Sequence, residues 1–590
     1  MKKEPRAFYQ TQIEEHTQRL QQLKKQLAVS STIRLFVFLA ACLGIYLVFG
    51  NTAAILGIVI VGAILFIILV NRHSGLQYER DLQKALIALN ETELEVLHRA
   101  FHHLPDGAEY SNDSHAFSQD IDLFGRGSFF QYLNRTALKS GSDYLATLLK
   151  SNDTDAILLK QKAIQELGEK ASWRQNFSAV GSLVKTEVSP NRVMNWLSNY
   201  TAFTPSWITW VSTVFSVLSV AGIAAYFLGF LSGYWVVGWF FLGLAISGRY
   251  VKQVNKLSQH SSKIQSTFEQ FYKLISEIES ESFSATLLQH KKERILQKKE
   301  KASSTLKQFA KQLDALDQRN NMLVGIFANG FLLRDILVSH RIENWIIRHG
   351  QQVGDWFEVI SFFDAYNSLG NYAFNHQDHS FPELSTTVQL QAKGAGHPLL
   401  FPETMVRNDF NIAEEEFFIV TGANMAGKST FLRTVSLLIV MGNVGLPVCA
   451  KSATYKPIKL ITSMRTTDSL TDDESYFFSE LKRLKFIVEQ LKNERYFIIL
   501  DEILKGTNST DKAIGSRKFV EKLVAGNSTG IIATHDLSLC EVANSLDEVK
   551  NYYFGAEIID DELHFDYTLK KGICQNMNAS FLLKKMNIVD

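Results

Sequence analysis

The sequence predicts an α/β domain at the C-terminal end, a region of long packed helices before it, and four transmembrane helices in two hairpins. Three observations predict this architecture. A short apolar strand at 417–420 leads through a glycine loop into a helical pattern from Phe431. Residues 251–337 show heptad-like spacing of apolar side chains with few helix breakers. Two pairs of charge-free apolar runs precede them.

Composition and charge limit the classes of function. The 590 residues are 46% hydrophobic and 21% charged, which is enough for more than one core. Lysine and arginine number 61 against 60 acidic residues, so any basic binding surface must be local. The cysteines lie far apart without CxxC spacing, which indicates a reducing compartment and argues against a structural zinc site. They are Cys42, Cys449, Cys540 and Cys574.

The first pair of apolar runs extends from Leu35 to Val70 and is split by Gly50-Asn51-Thr52. Each run is long enough for a short transmembrane helix of roughly 17 to 20 residues, so the pair predicts a helical hairpin. A secretory signal peptide is the alternative interpretation. The long polar stretch before the first run, the second run directly after it and the lack of a small-residue cleavage site disfavour that alternative.

The second pair of apolar runs occupies 207–230 and 234–247, with a break at Leu231-Ser232-Gly233. Tryptophan and tyrosine residues stand near its ends, where they suit a membrane interface. Buried helices of a soluble core are the alternative. Two adjacent pairs without a charged residue inside them disfavour it.

The topology follows from the flanking charges. Two hairpins return the chain to the side on which it began, and basic residues flank them on that side, which the positive-inside rule assigns to the cytoplasm. We therefore expect a multi-pass protein of the cell membrane whose termini and C-terminal domain are cytoplasmic. The flanking residues are Lys24, Lys25, Arg34, Arg72, Arg249 and Lys252.

A basic run lies within the predicted long helices and could follow a phosphate backbone if its helix faced nucleic acid. Glu293 and Glu300 interrupt the run, and no aromatic residues are interleaved for base stacking. A solvated helix face is therefore the stronger interpretation. The run comprises Lys291, Lys292, Arg294, Lys298, Lys299, Lys301, Lys307 and Lys311.

The loop after the strand at 417–420 reads GANMAGKST and has the spacing of a phosphate-binding P-loop. Its glycines let backbone amides curl around phosphate oxygens at the positive end of the following helix. Lys428 is expected to reach the β and γ phosphates, and Ser429 to ligate magnesium. ATP and Mg²⁺ are therefore the expected ligands. The predicted nucleotide-binding residues are Gly422, Asn424, Met425, Ala426, Gly427, Lys428, Ser429 and Thr430.

Two further apolar strands supply candidate catalytic residues. The strand Tyr496–Leu500 ends in Asp501 and Glu502, at the carboxyl end of a buried strand where ligands bind in parallel sheets. Asp501 is expected to hold the magnesium ion, and Glu502 to polarise the water that attacks the γ phosphate. The strand Thr529–Ala533 leads to His535, which is expected to contact the γ phosphate, although a lone histidine is more often structural. These residues predict an ATP hydrolase.

The three motifs together resemble the ATPase of the MutS family, a P-loop NTPase of the ABC type. They read TGANMAGKST at 421–430, DEILKGTNS at 501–509 and ATH at 533–535. Residues 467–481 are similar to the signature loop of that family, with Ser475 as the matching serine. The resemblance implies that Ser475 reaches the γ phosphate of a partner subunit, so that hydrolysis requires a homodimer formed through the ATPase domain. It also implies a helical core and lever region before that domain.

Departures from the family pattern bear on the ligand. A membrane hairpin stands where the mismatch-recognition domain is expected, and the Phe-x-Glu motif of that domain is absent. Asp473 and Glu474 replace a glycine and a basic residue in the signature loop. Three hypotheses follow: a membrane-tethered ATPase that acts on DNA, an ATP-driven membrane machine that acts on something else, and a nucleotide-dependent scaffold. The first leads, but mismatch recognition does not follow from the sequence.

These observations divide the chain into six segments. The expected boundaries are 1–32 for an N-terminal cytosolic helix, 33–71 for the first transmembrane hairpin, 72–204 for a soluble helical region that begins the core, 205–248 for the second hairpin, 249–370 for the helical core and lever region, and 371–590 for the ATPase domain.

Overall fold

The computed structural model describes residues 4–183, 188–296, 301–320, 322–465, 476–559 and 562–575. It confirms the two broad parts of the expected architecture, a helical N-terminal region and a mixed α/β C-terminal region. The helices are α1 Pro5–Leu47, α2 Thr52–Leu97, α3 Phe129–Leu133, α4 Lys139–Lys150, α5 Ile157–Glu169, α6 Ala171–Ser182, α7 Pro190–Ser198, α8 Ile208–Phe227, α9 Gly233–Arg249, α10 Val251–Ser280, α11 Thr286–Glu293, α12 Ala302–Asp317, α13 Met322–Leu332, α14 Arg334–His349, α15 Val353–Asn375, α16 Lys428–Val444, α17 Tyr476–Gln490 and α18 Ser509–Ala525.

Helices α1 and α2 form one long antiparallel hairpin. The turn between them contains Gly50 at φ 100°, a conformation that glycine adopts without steric cost. Asn51 caps α2, because its side chain accepts a hydrogen bond from the backbone N–H of Ala54 at 3.2 Å. The expected boundary at 32/33 falls inside α1, so the N-terminal helix and the first apolar run are one continuous helix.

Three of the described helices are long and apolar enough to cross a membrane, judged by length and composition: α1, α2 and α8. The sequence predicted four such helices. The fourth expected segment forms α9, which has only 17 residues. It begins at Gly233, the last residue of the expected break at Leu231-Ser232-Gly233, and packs beside α8, so the structure has the hairpin shape that the sequence predicted there.

Most of the remaining helices pack around α15, in which all but a few residues are buried. Asp364 of α15 fixes the start of α4: its carboxylate oxygens accept hydrogen bonds from the backbone N–H groups of Ala137 at 3.0 Å and Leu138 at 2.9 Å. Such a carboxylate satisfies amides that a helix start leaves unpaired. Helix α5 packs on α15 and also on α16, which joins the helical region to the α/β region.

The predicted basic run is not one solvated helix face where the structure describes it. Lys291 and Arg294 both pair with Glu358 on α15, and the Lys291 ammonium lies 2.5 Å from that carboxylate. Arg294 also pairs with Asp355. Lys292 donates to the backbone oxygen of Glu281 at 2.5 Å. These cations are therefore used to hold α11 against neighbouring helices. Lys298 and Lys299 lie outside the described residues.

The C-terminal region contains two sheets. One has the strand order β1-β5-β2-β3, and the other the order β10-β9-β4-β8-β7-β6. In the larger sheet all neighbouring strands are parallel except β10, which is antiparallel to β9. The strands are β1 Glu383–Leu384, β2 Leu390–Ala395, β3 Asn408–Ile412, β4 Phe417–Gly422, β5 Ser452–Tyr455, β6 Lys459–Ser463, β7 Tyr496–Asp501, β8 Thr529–Ala533, β9 Val549–Ile559 and β10 Glu562–Lys571.

The strand order brings the candidate residues to one edge. Strand β8 lies between β4 and β7, and all three are parallel. The carboxyl ends of β4, β8 and β7 therefore meet, and the three sequence motifs follow those ends. Crevices at the carboxyl ends of parallel strands are where α/β sheets bind ligands.

Candidate nucleotide-binding site

The glycine loop connects β4 to α16 through two residues in backbone conformations that favour glycine. Gly422 has φ 149° and Gly427 has φ 103°. A Cβ atom at Gly422 would lie 2.7 Å from the backbone oxygen of Phe554 on β9, so the close approach of β9 also requires glycine there. Helix α16 starts at Lys428, which directs its positive end toward the loop.

Lys428 lies at the centre of the site with its side chain buried. Its ammonium donates to the backbone oxygens of Gly422 at 2.8 Å and Ala423 at 3.0 Å, and lies 3.1 Å from Nε2 of His535. Burial lowers the pKa of this ammonium, and the carboxylates of Asp501 and Glu502 oppose that shift. The cation is thus held inside the loop, where phosphate oxygens would replace its carbonyl partners.

Ser429 and Asp501, the two predicted magnesium ligands, are in direct contact. The Ser429 hydroxyl donates to the Asp501 carboxylate at 2.8 Å. A hydroxyl and a carboxylate oxygen at this separation match the oxygen donors that Mg²⁺ binds, directly or through its water shell. The two residues therefore fit a magnesium ion beside the phosphates.

Glu502 and His535, the two predicted catalytic residues described here, also meet. Nε2 of His535 lies 3.0 Å from a carboxylate oxygen of Glu502, and the Lys505 ammonium lies 3.5 Å from the other oxygen. Burial and the nearby Lys428 lower the pKa of His535, while Glu502 opposes this effect. The lowered pKa favours the neutral imidazole, whose Nε2 either accepts from Lys428 or donates to Glu502, according to the tautomer.

The backbone around Glu502 has an unusual conformation. Glu502 and Leu504 have φ angles of 46° and 61°, which cost non-glycine residues free energy unless other contacts hold them. Glu480 of α17 supplies such contacts, because its buried carboxylate accepts the backbone N–H of Leu504 at 2.6 Å and that of Lys505 at 3.0 Å. The segment 467–481 that resembles the signature loop includes Glu480, but the sequence assigned no role to this residue.

The remaining predicted residues are placed as follows. Asn424 is exposed, and Met425 is 79% exposed with φ 68°. Ala426 is fully buried beneath the loop. Thr430 faces a neighbouring cavity. Ser475 lies outside the described residues, so its predicted contact with a partner subunit stays a prediction.

A cavity of about 270 Å³ adjoins the glycine loop at Gly427 and Thr430. Aromatic side chains of α16, β9 and β10 line it, together with His397 and the segment before β3; the aromatic residues are Phe431, Phe554 and Tyr567. Burial lowers the pKa of His397 to about 4, so this imidazole is neutral. Sequence analysis missed the cavity, since its walls come from strands more than 100 residues apart.

Comparison with known proteins supports the reading of these motifs. The family description MutS domain V matches residues 418–586. The chain is 31% identical over 212 residues to DNA mismatch repair protein MSH4 of Arabidopsis thaliana, which is 35% of this chain and 27% of that protein. It is 29% identical over 233 residues to MutS protein homolog 4 of Homo sapiens, which is 38% of this chain and 24% of that protein.

A bacterial relative gives the same result. DNA mismatch repair protein MutS of Aquifex pyrophilus is 30% identical over 234 residues, which is 38% of this chain and 27% of that protein. The chain thus spans about a quarter of the length of the curated relatives it matches. The family match begins within β4 and covers the glycine loop and the strands β7 and β8 that carry the candidate catalytic residues.

Proposed function

The chain belongs to the MutS family through its domain V, and from this premise we propose that it is a membrane-anchored ATPase that binds and hydrolyses ATP at a dimer interface. One observation carries the proposal. Lys428, the contacting pair Ser429 and Asp501, and the contacting pair Glu502 and His535 converge at one sheet edge. A phosphate-binding cation, a metal-ligand pair and a general base are what phosphoryl transfer to water needs.

The nucleotide would lie across the loop and the adjoining cavity. Its phosphates would lie on the loop amides and Lys428, and its base in the cavity lined by Phe431, Phe554 and Tyr567. Flat aromatic walls suit an adenine ring. A magnesium ion held at Ser429 and Asp501 would neutralise charge on the β and γ phosphates.

Glu502 is the proposed general base. Its carboxylate would accept a proton from the attacking water as that oxygen bonds to the γ phosphorus, and ADP would leave. His535, as a neutral imidazole, would hold the carboxylate in place through Nε2 and contact the γ phosphate side of the site. In the structure Lys505 holds the other oxygen of Glu502 at 3.5 Å.

Glu502→Gln tests this assignment. The amide keeps the size of the carboxylate but cannot take the proton, so ATP binding should persist while turnover falls about 100-fold or more. Glu521→Gln, on an exposed pair with Arg517 at 3.0 Å, is the matched control and should retain normal turnover. Equal turnover in Glu502→Gln and the wild type would exclude Glu502 as the base.

The shared active site is tested by mixing two inactive variants. We propose that Ser475 completes the site of a partner subunit, so Lys428→Ala and Ser475→Arg should each be nearly inactive alone. A mixed dimer would keep one intact site, with the loop of one subunit facing Ser475 of the other. The mixture should therefore recover up to half of the wild-type rate. If the rate of the mixture equals only the sum of the rates of the two separate variants, although mixed dimers are shown to form, the shared site is refuted.

We propose membrane anchoring because α1, α2 and α8 expose long apolar surfaces, as Phe36 at 71% and Val217 at 62% illustrate. The flanking basic residues make the ATPase side cytoplasmic. Labelling from outside intact cells tests the topology: a cysteine introduced at residue 590 should stay unlabelled. Labelling of that cysteine would overturn the proposed orientation.

DNA is the proposed ligand, on the strength of the mismatch-repair names of the relatives. One observation favours the second candidate, an ATP-driven membrane machine that does not act on DNA: Lys291 and Arg294, at the start of the basic run, pair with Glu358. ATPase rate in lipid, measured with and without linear, branched and mismatched DNA, separates the two. Stimulation by any DNA supports the first candidate, and an unchanged rate with all three supports the second.

A further inference from the structure

Helix α13 is an apolar element within the helical region that the sequence assigned to the core and lever. Between Arg319 and Arg334 the sequence contains no charged residue. Helix α13 itself has 11 residues, a length of about 16 Å at 1.5 Å per residue. An apolar helix of this length is too short to cross a bilayer and is typical of a buried or a re-entrant segment.

The exposed fractions exclude full burial in the protein. Ile326 is 39% exposed, Phe327 58% and Leu332 40%. Soluble proteins rarely expose contiguous apolar surface of this kind without a partner. We therefore expect the exposed apolar face of α13 to contact a partner other than the described residues.

The side of α13 that carries Gly330 and Phe331 packs closely on α9 of the second hairpin, and the partly exposed Phe327 lies at the edge of this contact. A Cβ atom at Gly243 would collide with the backbone oxygen of Gly330, and one at Gly330 would collide with the ring of Phe240. That ring also lies 5.8 Å from Phe327 and 5.2 Å from Phe331, measured between ring centroids. Glycine pairs that let backbones touch are a common packing device of helices in membranes.

Polar contacts join the residues before α13 to the residues after it. Arg319, before α13, pairs with Asp335, after it, at 3.0 Å, and both side chains are largely buried. Arg334 donates to the side-chain oxygen of Gln318 at 2.7 Å. Leu333 has φ 50°, which turns the chain sharply from α13 into α14. The ion pair lies beside the middle of α13, because the backbone N–H of Asp335 donates to the side-chain oxygen of Asn329 at 2.9 Å.

We propose that α13 is a re-entrant element that inserts its exposed face among the acyl chains of the cytoplasmic leaflet, beside the second hairpin. This rests on the proposed membrane anchoring. The occupant is lipid, because the exposed face of α13 is continuous with the exposed apolar surface of the α8–α9 hairpin on which it packs.

The element links the bilayer to the helical region. Helices α12 and α14 flank α13 in the chain and pack on each other, and α12 also packs on α10. A movement of these helices during the nucleotide cycle would therefore change the depth of α13 in the leaflet.

Depth-dependent quenching by brominated lipids tests the insertion. The full chain is reconstituted in phosphatidylcholine vesicles and carries Cys42→Ala, since the other three native cysteines are buried. An environment-sensitive dye is attached after Phe327→Cys in α13, Val217→Cys in the hairpin, or Ile514→Cys, which is 51% exposed on α18. We expect lipid quenching at 327 and 217 to exceed that at 514 at least threefold.

The outcomes separate the two proposals. Quenching at 217 but not at 327 overturns the re-entrant element and leaves the membrane anchoring intact. If neither position is quenched, both the membrane anchoring and the re-entrant element are wrong. A dye at 327 that is shielded from lipid and cross-links to a second copy shows that protein covers α13, which also overturns the inference.

A second variant tests the packing on α9. Gly330→Leu should force α13 away from Phe240 and reduce lipid quenching at 327 at least twofold. Gly238→Leu is the matched control, because a Cβ atom at Gly238 of α9 meets nothing within 4 Å. Unchanged quenching in Gly330→Leu would show that contact with α9 does not position α13.

Discussion

Strand β4 and helix α8 are both almost wholly apolar, but the structure uses them in opposite ways. In β4 the side chains of Phe417 and Ile419 are 0% exposed. In α8 Val217 is 62% exposed while Ser212 and Ser219 are buried at 0% and 2%. Ser219 donates to the backbone oxygen of Phe215 at 2.8 Å and accepts from the indole N–H of α9 at 2.8 Å. The apolar side chains of β4 therefore face the protein interior, whereas apolar side chains of α8 face the surroundings of the protein.

The difference shows what each region is built to do. A strand buried on both faces fixes the carboxyl end of the sheet, so that Gly422 and its neighbours hold their positions for phosphate. A helix that buries serine and exposes valine packs through small polar residues, as helices in lipid do. Changes in the first region should therefore alter chemistry, and changes in the second should alter insertion.

The largest expected effect is the loss of the cation at the sheet edge. Lys428→Ala removes the ammonium that lies on Gly422 and His535, and ATP affinity should fall about 100-fold or more because no charge then faces the β and γ phosphates. Binding of a fluorescent ATP analogue to the reconstituted protein measures it. Lys518→Ala, an exposed residue of α18, should bind normally. Membrane insertion should be unchanged in both variants. Loss of insertion in Lys428→Ala would contradict the inference that the β4 region and the α8 region have separate roles.

The second effect compares two exposed apolar residues. Val217 and Ile514 are 62% and 51% exposed, but only Val217 is proposed to face lipid. Val217→Arg should disfavour insertion by roughly 2.5 to 3.5 kcal/mol, whereas Ile514→Arg should change stability by less than about 0.5 kcal/mol. Brominated-lipid quenching of a dye attached after Trp210→Cys, which is also exposed on α8, measures the first. Equal quenching in both variants would show that exposure in α8 has no connection with a bilayer.

Local patterns in the sequence predicted much of this contrast. The glycine loop, the strands before Asp501 and His535, and the two apolar hairpins each occupy a continuous stretch with its own signal. Glu480 was missed because its role depends on a contact with Leu504, 24 residues away and in another element. The cavity at Phe554 was missed for the same reason. The apolar stretch of α13 is too short for a transmembrane pattern, so it appeared to be ordinary core.

The third effect is a pH dependence confined to the soluble regions. Burial lowers the pKa of His379 and His397 to about 4 each, from an ordinary value near 6.5. Below about pH 6.5 these histidines are protonated in the unfolded chain but stay neutral in the folded chain. The free energy of unfolding therefore decreases as the pH falls toward 4, by about 3 kcal/mol per histidine at pH 4.

Thermal unfolding of the detergent-solubilised protein between pH 7 and pH 4 measures this loss. His397→Asn should flatten the pH dependence of the melting temperature, and His98→Asn, an exposed histidine at the end of α2, should not. The apolar hairpins contain no group that titrates in this range. A melting temperature that does not change from pH 7 to pH 4 would contradict the assignment.

The smallest expected effect concerns Glu480, which joins α17 to the backbone segment after Glu502, the proposed general base. Its two oxygens accept the N–H groups of Leu504 at 2.6 Å and Lys505 at 3.0 Å, directly after Glu502. Glu480→Gln keeps one acceptor and turns an amide N–H₂ toward the other donor, a loss of about 1 to 3 kcal/mol of buried hydrogen bonding. The loop then holds Glu502 less firmly, so turnover should fall about tenfold while ATP affinity stays within about twofold.

The split between turnover and affinity distinguishes positioning from simple instability. Glu489→Gln on the same helix is the control, because its pair with Lys485 at 3.8 Å is exposed, and both of its constants should match the wild type. Since α17 begins within the segment 467–481 that resembles the signature loop, a defect limited to turnover would also indicate that this helix connects the segment to Glu502. A parallel fall in turnover and affinity would instead mean that Glu480 only stabilises the fold.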